Sequence, residues 1–289
     1  MTIHRTPARF LAFGFLALIL PLASGAADNE GDELLNRAGV SFAKGNREDA
    51  IELATRAIAA EPKNAKAYYV RGRFYAEVRQ PQKAVKDLNQ ALALDPAAAL
   101  AYYQRGAENF KLGRIQESAA DFDKFIDLSP AQAPKLWQRG ISLYYAGRYE
   151  DGQRQFELHQ TINSNDVENA VWRYLCMARK DGVAKARADM MKIGDDRRVP
   201  MRQVYEMFAG RLKPADVLAA ASAGNPPKEQ LNRQLFYAHL YVGLHYETEG
   251  DAEQALEHLN RAADEHRIGH YMGDVARVHR DLLKKTAKK

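Results

Sequence analysis

From about residue 31 onward, apolar residues recur every three or four positions, with polar residues filling the positions between them. Positions i, i+4 and i+7 share one face of a helix, so Tyr68, Gly72 and Tyr75 form a single stripe. Short polar or glycine-containing breaks, such as the one at Gly45, separate these stretches. The pattern therefore predicts pairs of amphipathic helices joined by tight turns.

The stripes repeat with a fixed period of 34 residues. The clearest pairs at this spacing are Gly72 and Gly106, Ala84 and Ser118, Leu88 and Phe122, and Pro96 and Pro130. The same spacing finds Ala38, Ala50, Ala54 and Pro62 upstream, and Gly140, Gly152 and Phe156 downstream. A small residue, an aromatic or Leu, another small residue and a closing Pro resemble the tetratricopeptide repeat (TPR) signature. The resemblance implies an all-α protein, a superhelical solenoid of helix-turn-helix units.

The 34-residue period also indicates how the chain is divided into segments. Four repeats fit residues 28–166, beginning near Gly31 and then at Ala65, Ala99 and Ala133. The period fails over residues 167–225, which we interpret as degenerate helical repeats, and it returns over residues 226–289 as a C-terminal repeat with a capping helix. In the degenerate part, helices are predicted near Val167–Lys180, Val183–Ile193, Met201–Ala209 and Pro214–Ala223. The last repeat is predicted over about Phe236–Gly269, and the capping helix over about Tyr271–Lys284.

Residues 1–27 have the pattern of a secretory signal peptide. Arg5 and Arg9 form a basic start, the stretch Phe10–Ala23 is apolar, and small residues follow. The apolar run is short for a membrane-spanning helix. The sequence therefore predicts a periplasmic or secreted protein with no stable membrane span after cleavage near residues 25–27, although a retained anchor stays an alternative. No cysteine follows the apolar run to carry a lipid.

Composition narrows the possible chemistry. The chain has 42 Lys and Arg against 37 Asp and Glu, and the two signs are interspersed, which does not indicate nucleic-acid binding. The single cysteine, Cys176, lies in an apolar helical stretch and is interpreted as a packing residue. The histidines between His239 and His279 are dense, but their spacing does not predict a metal site. No catalytic arrangement or cofactor motif stands out, so the sequence predicts neither an enzyme nor a cofactor.

Two sets of residues recur at the repeat period. Arg37, Arg71, Arg105 and Arg139 form one set, and Asp87 and Asp121 form the other. They either bind an acidic ligand or pair with each other between packed helices, and we favour pairing because desolvated charges need partners.

A second face of the first helices carries aromatic and basic residues in matching registers. In the TPR arrangement this face lines the groove of the solenoid, and such a surface suits an extended or helical peptide. The alternative is a groove filled by the chain's own later helices. Gly39, Arg73 and Ala107 stand where an asparagine of the TPR carboxylate clamp is expected, so that clamp is missing. The predicted peptide-binding residues are Tyr69, Arg73, Tyr103, Phe110, Lys111, Trp137 and Tyr144.

Beyond the repeat, the chain resembles NlpI-type envelope proteins. The resemblance rests on Gln138–Arg148, Val171–Leu175, Leu244-His245-Tyr246 and the ending His270-Tyr271. It implies a dimeric solenoid that brings a tail-specific protease together with peptidoglycan hydrolases. One departure is that this chain has Ala26 and Ala27 where that family carries a lipidated cysteine. We therefore expect an exported, non-enzymatic adaptor that binds proteins or peptides. The alternatives are a pilotin-like or chaperone-like factor in secretion or pilus assembly, and a subunit that completes a partner's active site.

Overall fold

The computed structural model describes residues 30–286, and the predicted signal peptide lies outside this range. The described chain is built from fifteen α-helices with one 3-10 segment and one π-helical turn. The helices are α1 (Glu30–Ala43), α2 (Arg47–Ala60), α3 (Ala65–Glu77), α4 (Pro81–Leu94), α5 (Ala99–Lys111), α6 (Ile115–Leu128), α7 (Trp137–Tyr145), α8 (Tyr149–Gln160), α9 (Val167–Asp181), α10 (Val183–Ala188), α11 (Met201–Phe208), α12 (Pro214–Ser222), α13 (Lys228–Thr248), α14 (Ala252–Asn260) and α15 (Tyr271–Thr286). This all-helical solenoid confirms the predicted fold class.

Each of the first four repeats is an antiparallel helix pair, from α1 and α2 to α7 and α8. Two of the recurring arginines, Arg71 and Arg105, pair with the recurring aspartates inside their repeats, whereas Arg139 binds Asp123 of the preceding repeat at 2.7 Å. Arg71 holds Asp87 through two hydrogen bonds of 2.7 and 2.8 Å, and Arg105 holds Asp121 through bonds of 2.9 and 2.6 Å. Both aspartates are buried, so these charges fasten the first helix of a repeat to its second. The Arg71–Asp87 and Arg105–Asp121 pairs are therefore structural, as favoured from the sequence.

The helix predicted over Val183–Ile193 ends at Ala188. The following segment runs without regular structure and returns to the start of α9, where Arg198 binds Asp166 at 2.7 Å and Glu168 at 2.6 Å. These ion pairs hold the segment in place where helical periodicity alone predicted another turn. The other predicted helices of the degenerate part end within one residue of the observed positions.

The last repeat is longer than predicted. Its first helix, α13, begins at Lys228, directly after Pro227, and not near Phe236. A single π-helical turn, Arg261–Glu265, follows α14 before the chain enters α15. The largest apolar cluster of the described chain joins this region to α5, α7 and α9, with Trp172, Phe208 and Tyr241 buried in it. The core therefore lies towards the C-terminal half.

Three histidines pack together in the last repeat. The Nδ1 atoms of His239 and His258 lie 2.8 Å apart, and the ring of His266 stacks on His239 at 5.3 Å. Burial, with repulsion from protonated His258 and His266, lowers the pKa of His239 to about 3. Burial also lowers the pKa values of His258 and His266. The folded protein thus prefers neutral histidines here.

The histidine cluster predicts a loss of stability in mild acid. An unfolded histidine takes up a proton near pH 6.5, whereas folded His239 resists protonation, so stability is present above that pH and is lost as the pH falls. Between pH 7 and pH 5 we expect a loss of about 1–2 kcal/mol from this cluster. Urea unfolding at a series of pH values measures it. His239→Gln should flatten this part of the curve, and an unchanged slope would contradict the assignment.

Candidate functional site

The predicted groove residues lie on the first helices of three successive repeats, α3, α5 and α7. Helix α15 folds back against α5 and divides this face into two parts. The open groove consists of Tyr69, Arg73 and Tyr103. The covered groove consists of Phe110, Trp137 and Tyr144. The two parts have different surroundings.

The open groove is a partly exposed aromatic surface with one cation. The Arg73 guanidinium lies 5.8 Å from the ring centroid of Tyr69, a cation–π distance. Tyr103 packs its ring on Phe125 at 5.4 Å, and its hydroxyl accepts a hydrogen bond from Gln138 at 3.2 Å. Burial raises the pKa values of both tyrosines, so both hydroxyls stay neutral and can donate as well as accept.

The covered groove is occupied by α15. Tyr271, the first residue of that helix, stacks on Phe110 at 5.2 Å and meets Trp137 edge-on at 5.3 Å. Phe110 is 0% exposed and Tyr144 is 4% exposed, so neither ring is available to a partner in this conformation. In this half of the groove α15 packs against Phe110 and Trp137, as in the alternative with later helices, while Trp137 stays partly exposed.

Tyr144 belongs to a polar network beneath the covered groove. Arg179 donates to the Tyr144 hydroxyl at 3.3 Å and to Glu247 at 2.7 Å. The second Glu247 oxygen lies 3.0 Å from Nε2 of His279, whose Nδ1 lies 2.8 Å from the hydroxyl of Tyr145. Burial opposes ionisation of Glu247, but the contacts with His279 and Arg179 outweigh it and lower its pKa. The network ties α15 to α7, α9 and α13.

Lys111 holds internal partners and is half-buried. Its ammonium group donates to Glu108 at 2.6 Å, and its backbone carbonyl accepts a hydrogen bond from Arg277 of α15 at 2.6 Å. Glu108 is 0% exposed, and burial raises its pKa although Lys111 counteracts the effect. Lys111 therefore supports the docked helix α15 at the end of α5.

Arg79 also holds α15, and the sequence analysis missed it. Its guanidinium binds the buried carboxylate of Asp274 at 2.7 Å and the carbonyl oxygen of Gly269 at 3.3 Å. The backbone of Arg79 has a φ of +58°, in the left-handed region. Glycines stand one period away at Gly45 and Gly113, and both have positive φ values. An arginine at a turn position where the neighbouring repeats have glycine is visible in the sequence, and it could have indicated a special role for Arg79.

Two further kinds of group with possible chemistry are the single cysteine and the metal-ligating side chains of residues 30–286. Cys176 is buried, and burial raises the pKa of its thiol, which keeps it protonated. Within residues 30–286, no three or more His, Cys, Asp or Glu side chains converge in a way that could hold a metal ion. In the same range, no helix combines the length and the apolar character that crossing a bilayer requires.

Comparison with protein-family models finds tetratricopeptide repeats in the first half of the chain. Three such models match residues 35–79, 65–98 and 99–132. These matches confirm the predicted repeats over about a third of the chain. No curated protein sequence matches the chain significantly.

Solved structures share the fold. The chain is similar to the MamA protein, with 20% identity and a TM-score of 0.51, over 55% of this chain and 86% of that one. It is also similar to the second TPR of Spaghetti (RPAP3) bound to HSP90 peptide SRMEEVD, with 32% identity and a TM-score of 0.34, over 35% of this chain and 93% of that one. The likeness to MamA supports a TPR solenoid over the matched part.

Proposed function

We propose that this chain, whose residues 35–132 are tetratricopeptide repeats, is a non-enzymatic interaction scaffold that binds a segment of a partner polypeptide in its open groove. The observation that carries the proposal is the difference between the two parts of the groove. Tyr69, Arg73 and Tyr103 remain partly exposed, whereas further along the solenoid α15 packs Tyr271 against Phe110 and Trp137, which leaves Phe110 buried and Trp137 partly exposed.

The side chains that α15 packs on this face suggest which side chains of a partner would suit the open groove. There, one helix inserts an aromatic ring between Phe110 and Trp137 and places an acidic group, Asp274, against an arginine. The open groove offers the same combination of aromatic rings and a guanidinium. Aromatic and arginine side chains are enriched among the residues that dominate interface energies. A helical or extended segment that presents apolar side chains beside an acidic group fits this surface.

Removing two open-groove rings tests the proposal. We expect Tyr69→Ala with Tyr103→Ala to weaken binding of the best peptide selected from a random library by about 30-fold, because truncating a central aromatic residue costs about 2 kcal/mol or more. Fluorescence anisotropy with the full chain measures the affinity, and circular dichroism checks the fold.

The matched control replaces the tyrosines one position earlier in the same repeats, Tyr68→Ala with Tyr102→Ala. One position along a helix turns the side chain by about 100°, which takes it off the groove face. Tyr102 packs against apolar clusters of the repeats, so circular dichroism must confirm that the control is folded, and the folded control should bind like the parent. Equal affinity of the parent and the Tyr69 and Tyr103 variant, both folded, would place the binding surface elsewhere.

The proposals for the cellular location and for the partner proteins rest on the sequence. The basic start, apolar run and small residues of residues 1–27 support export to the periplasm or medium. The resemblance to NlpI-type proteins supports an envelope adaptor, which could form a homodimer, that brings a tail-specific protease and peptidoglycan hydrolases together. Mass spectrometry of the tagged chain purified from an envelope fraction tests both statements. A retained Met1 argues against cleavage, and recovery of secretion or pilus components without a protease favours the alternative role.

A further inference from the structure

We infer that a basic cleft beside the open groove binds an acidic polypeptide segment. The cleft lies between the turn after α3, the end of α5 and the start of α15, and it measures about 500 Å³. This inference rests on the proposed function, because it names the chemistry of the partner that the scaffold would bind. It concerns residues that are not among the predicted groove set, apart from Lys111.

The cleft carries an excess of positive charge. Four cations line it, namely Arg79, Lys111, Arg267 and Arg277, against the single carboxylate of Asp274. Lys111 is neutralised by Glu108 at 2.6 Å, and Asp274 is shared between Arg79 at 2.7 Å and Arg277 at 3.6 Å. Asp281 lies 3.8 Å from Arg277 and is also bound by Arg280 at 2.9 Å, so four cations and three carboxylates leave a formal charge of at least about +1 in the cleft.

Among the four cations, Arg267 has the fewest contacts with hydrogen-bond acceptors or carboxylates. It is exposed, and within residues 30–286 no carboxylate lies within ion-pair distance of it. Arg277 donates to the carbonyl oxygen of Lys111 at 2.6 Å, and its guanidinium also lies 3.6 Å from Asp274 and 3.8 Å from Asp281, so its contacts with carboxylates are long. Guanidinium groups bind carboxylates through paired hydrogen bonds, so the free guanidinium of Arg267, with Arg277 beside it, suits an acidic ligand.

Arg79 occupies a strained position at the rim. Neighbouring repeats place Gly45 and Gly113 at this point of the turn, whereas here an arginine adopts a φ of +58°. A non-glycine residue persists in this conformation when the surroundings fix it. The contacts of Arg79 with Asp274 and with the carbonyl of Gly269 provide that fixation, and they hold its guanidinium at the cleft.

A helix terminus adds to the positive field. Pro81 and Gln82, the first residues of α4, line the cleft. The first turn of α4 contains no acidic residue, and its N-cap residue Gln80 makes no side-chain capping bond. The partial positive charge of this 14-residue helix is therefore directed at the cleft without a counter-charge from its own sequence.

The shape favours a peptide over a small anion. The four cations come from three separate parts of the chain and line a cleft of about 500 Å³, which is larger than a single phosphate group fills. Helix α3 leads directly from Tyr69 and Arg73 of the open groove to Arg79 at the cleft. A polypeptide with apolar side chains in the open groove and neighbouring Asp or Glu residues in the cleft satisfies both surfaces.

A charged probe tests the cleft directly. We expect fluorescein-labelled hexaglutamate to bind the full chain at least about tenfold more tightly than labelled hexaglutamine at an ionic strength of about 0.05 M, and the difference should shrink at about 0.5 M because salt screens exposed charges. Equal binding of the two peptides, or no binding of hexaglutamate, would overturn the inference. Full competition by inorganic phosphate at equal concentration would identify a small-anion site and would also overturn it.

Two substitutions locate the binding. Arg267→Gln removes an exposed cation, and Gln82→Glu adds an acid in the first turn of α4. Each should weaken hexaglutamate binding about three- to fivefold. The control Arg56→Gln removes an exposed arginine from α2 and should leave the affinity unchanged.

Gln82→Glu also separates a binding effect from damage to the fold. An acid near a helix N-terminus favours the helix, so this variant should melt at or slightly above the parent temperature while it binds hexaglutamate more weakly. Undiminished hexaglutamate binding by both cleft variants would contradict the cleft assignment. The proposed function stands separately, because library peptides that bind through Tyr69 and Tyr103 without any acidic preference would support the scaffold and reject only the cleft.

Discussion

Tyr271→Ala should loosen the first turn of α15 in the covered groove and lower the free energy of unfolding by about 3–5 kcal/mol, the range for truncating a buried aromatic residue. The ring of Tyr271 contacts Phe110 at 5.2 Å and Trp137 at 5.3 Å, so its loss leaves a cavity between two aromatic residues. The ion pair between Arg79 and Asp274, at 2.7 Å, is partly exposed, and the other contacts of α15, through Val275, Val278 and His279, lie further along the helix, so its first turn loses its main support.

The tryptophan signal makes this result specific. The chain has two tryptophans, and Trp172 is 2% exposed in the core, so a shift of emission to longer wavelength reports mainly on Trp137. Tyr271→Phe keeps the ring and should change stability by no more than about 1 kcal/mol. If Tyr271→Ala unfolds at the same urea concentration as the parent, with unchanged emission, α15 does not depend on this contact.

Loosening the first turn of α15 has a functional consequence. The covered groove carries Trp137 in the register of Tyr69 and Tyr103, and Phe110 seven residues after Tyr103. Exposing them extends the aromatic surface by one repeat. If the proposed scaffold role is correct, Tyr271→Ala should bind a selected peptide at least as tightly as the parent, despite its lower stability.

Gly140→Leu should lower the free energy of unfolding by about 3 kcal/mol, at the upper end of the usual cost of overpacking a core. A Cβ atom at this position would lie 2.6, 2.8 and 2.9 Å from three atoms of the Phe156 ring. Phe156 is 1% exposed, and the cavity of about 30 Å³ that it lines is too small to take up the displaced ring. The two helices of the fourth repeat must therefore move apart. Urea unfolding followed by far-ultraviolet circular dichroism measures the loss.

Two other glycines calibrate the measurement. At Gly106 an added Cβ would lie 3.2 Å from Asp121 and Phe122, so Gly106→Leu should cost about 1–3 kcal/mol. At Gly39 of α1 an added Cβ meets no atom within 4 Å, and Gly39→Leu should be neutral or should stabilise the helix by up to about 1 kcal/mol. Equal effects at Gly39 and Gly140 would contradict the repeat register.

The sequence predicted the repeats because their determinants are local and periodic. A small residue such as Gly72, Gly106 or Gly140 must recur wherever two helices of a repeat approach closely, and it recurs every 34 residues. The paired charges follow the same rule, since Arg71 and Asp87 lie 16 residues apart in one unit and Arg105 and Asp121 in the next. The contacts that hold a repeat together are formed by residues of that repeat, so the sequence pattern alone was sufficient to predict the fold.

The irregular parts were less predictable. The period of helices indicated another turn after Ala188, but ion pairs from Arg198 to residues of α9 hold that segment in a different path. Burial and partners across the chain outweigh local propensity there. The early start of α13 has a local explanation, because Pro227 precedes it and favours a helix start in the next residues.

For the candidate site, the sequence alone determined which residues share the groove face, because helical spacing fixes the register of Tyr69, Tyr103 and Trp137. Only the tertiary structure decided which of them a partner can reach. That outcome depends on the contact of Tyr271 with Phe110, across 161 residues of sequence, and on the ion pair of Arg79 with Asp274, across 195. Contacts between such distant segments do not recur at the 34-residue spacing, so the repeat pattern cannot predict them.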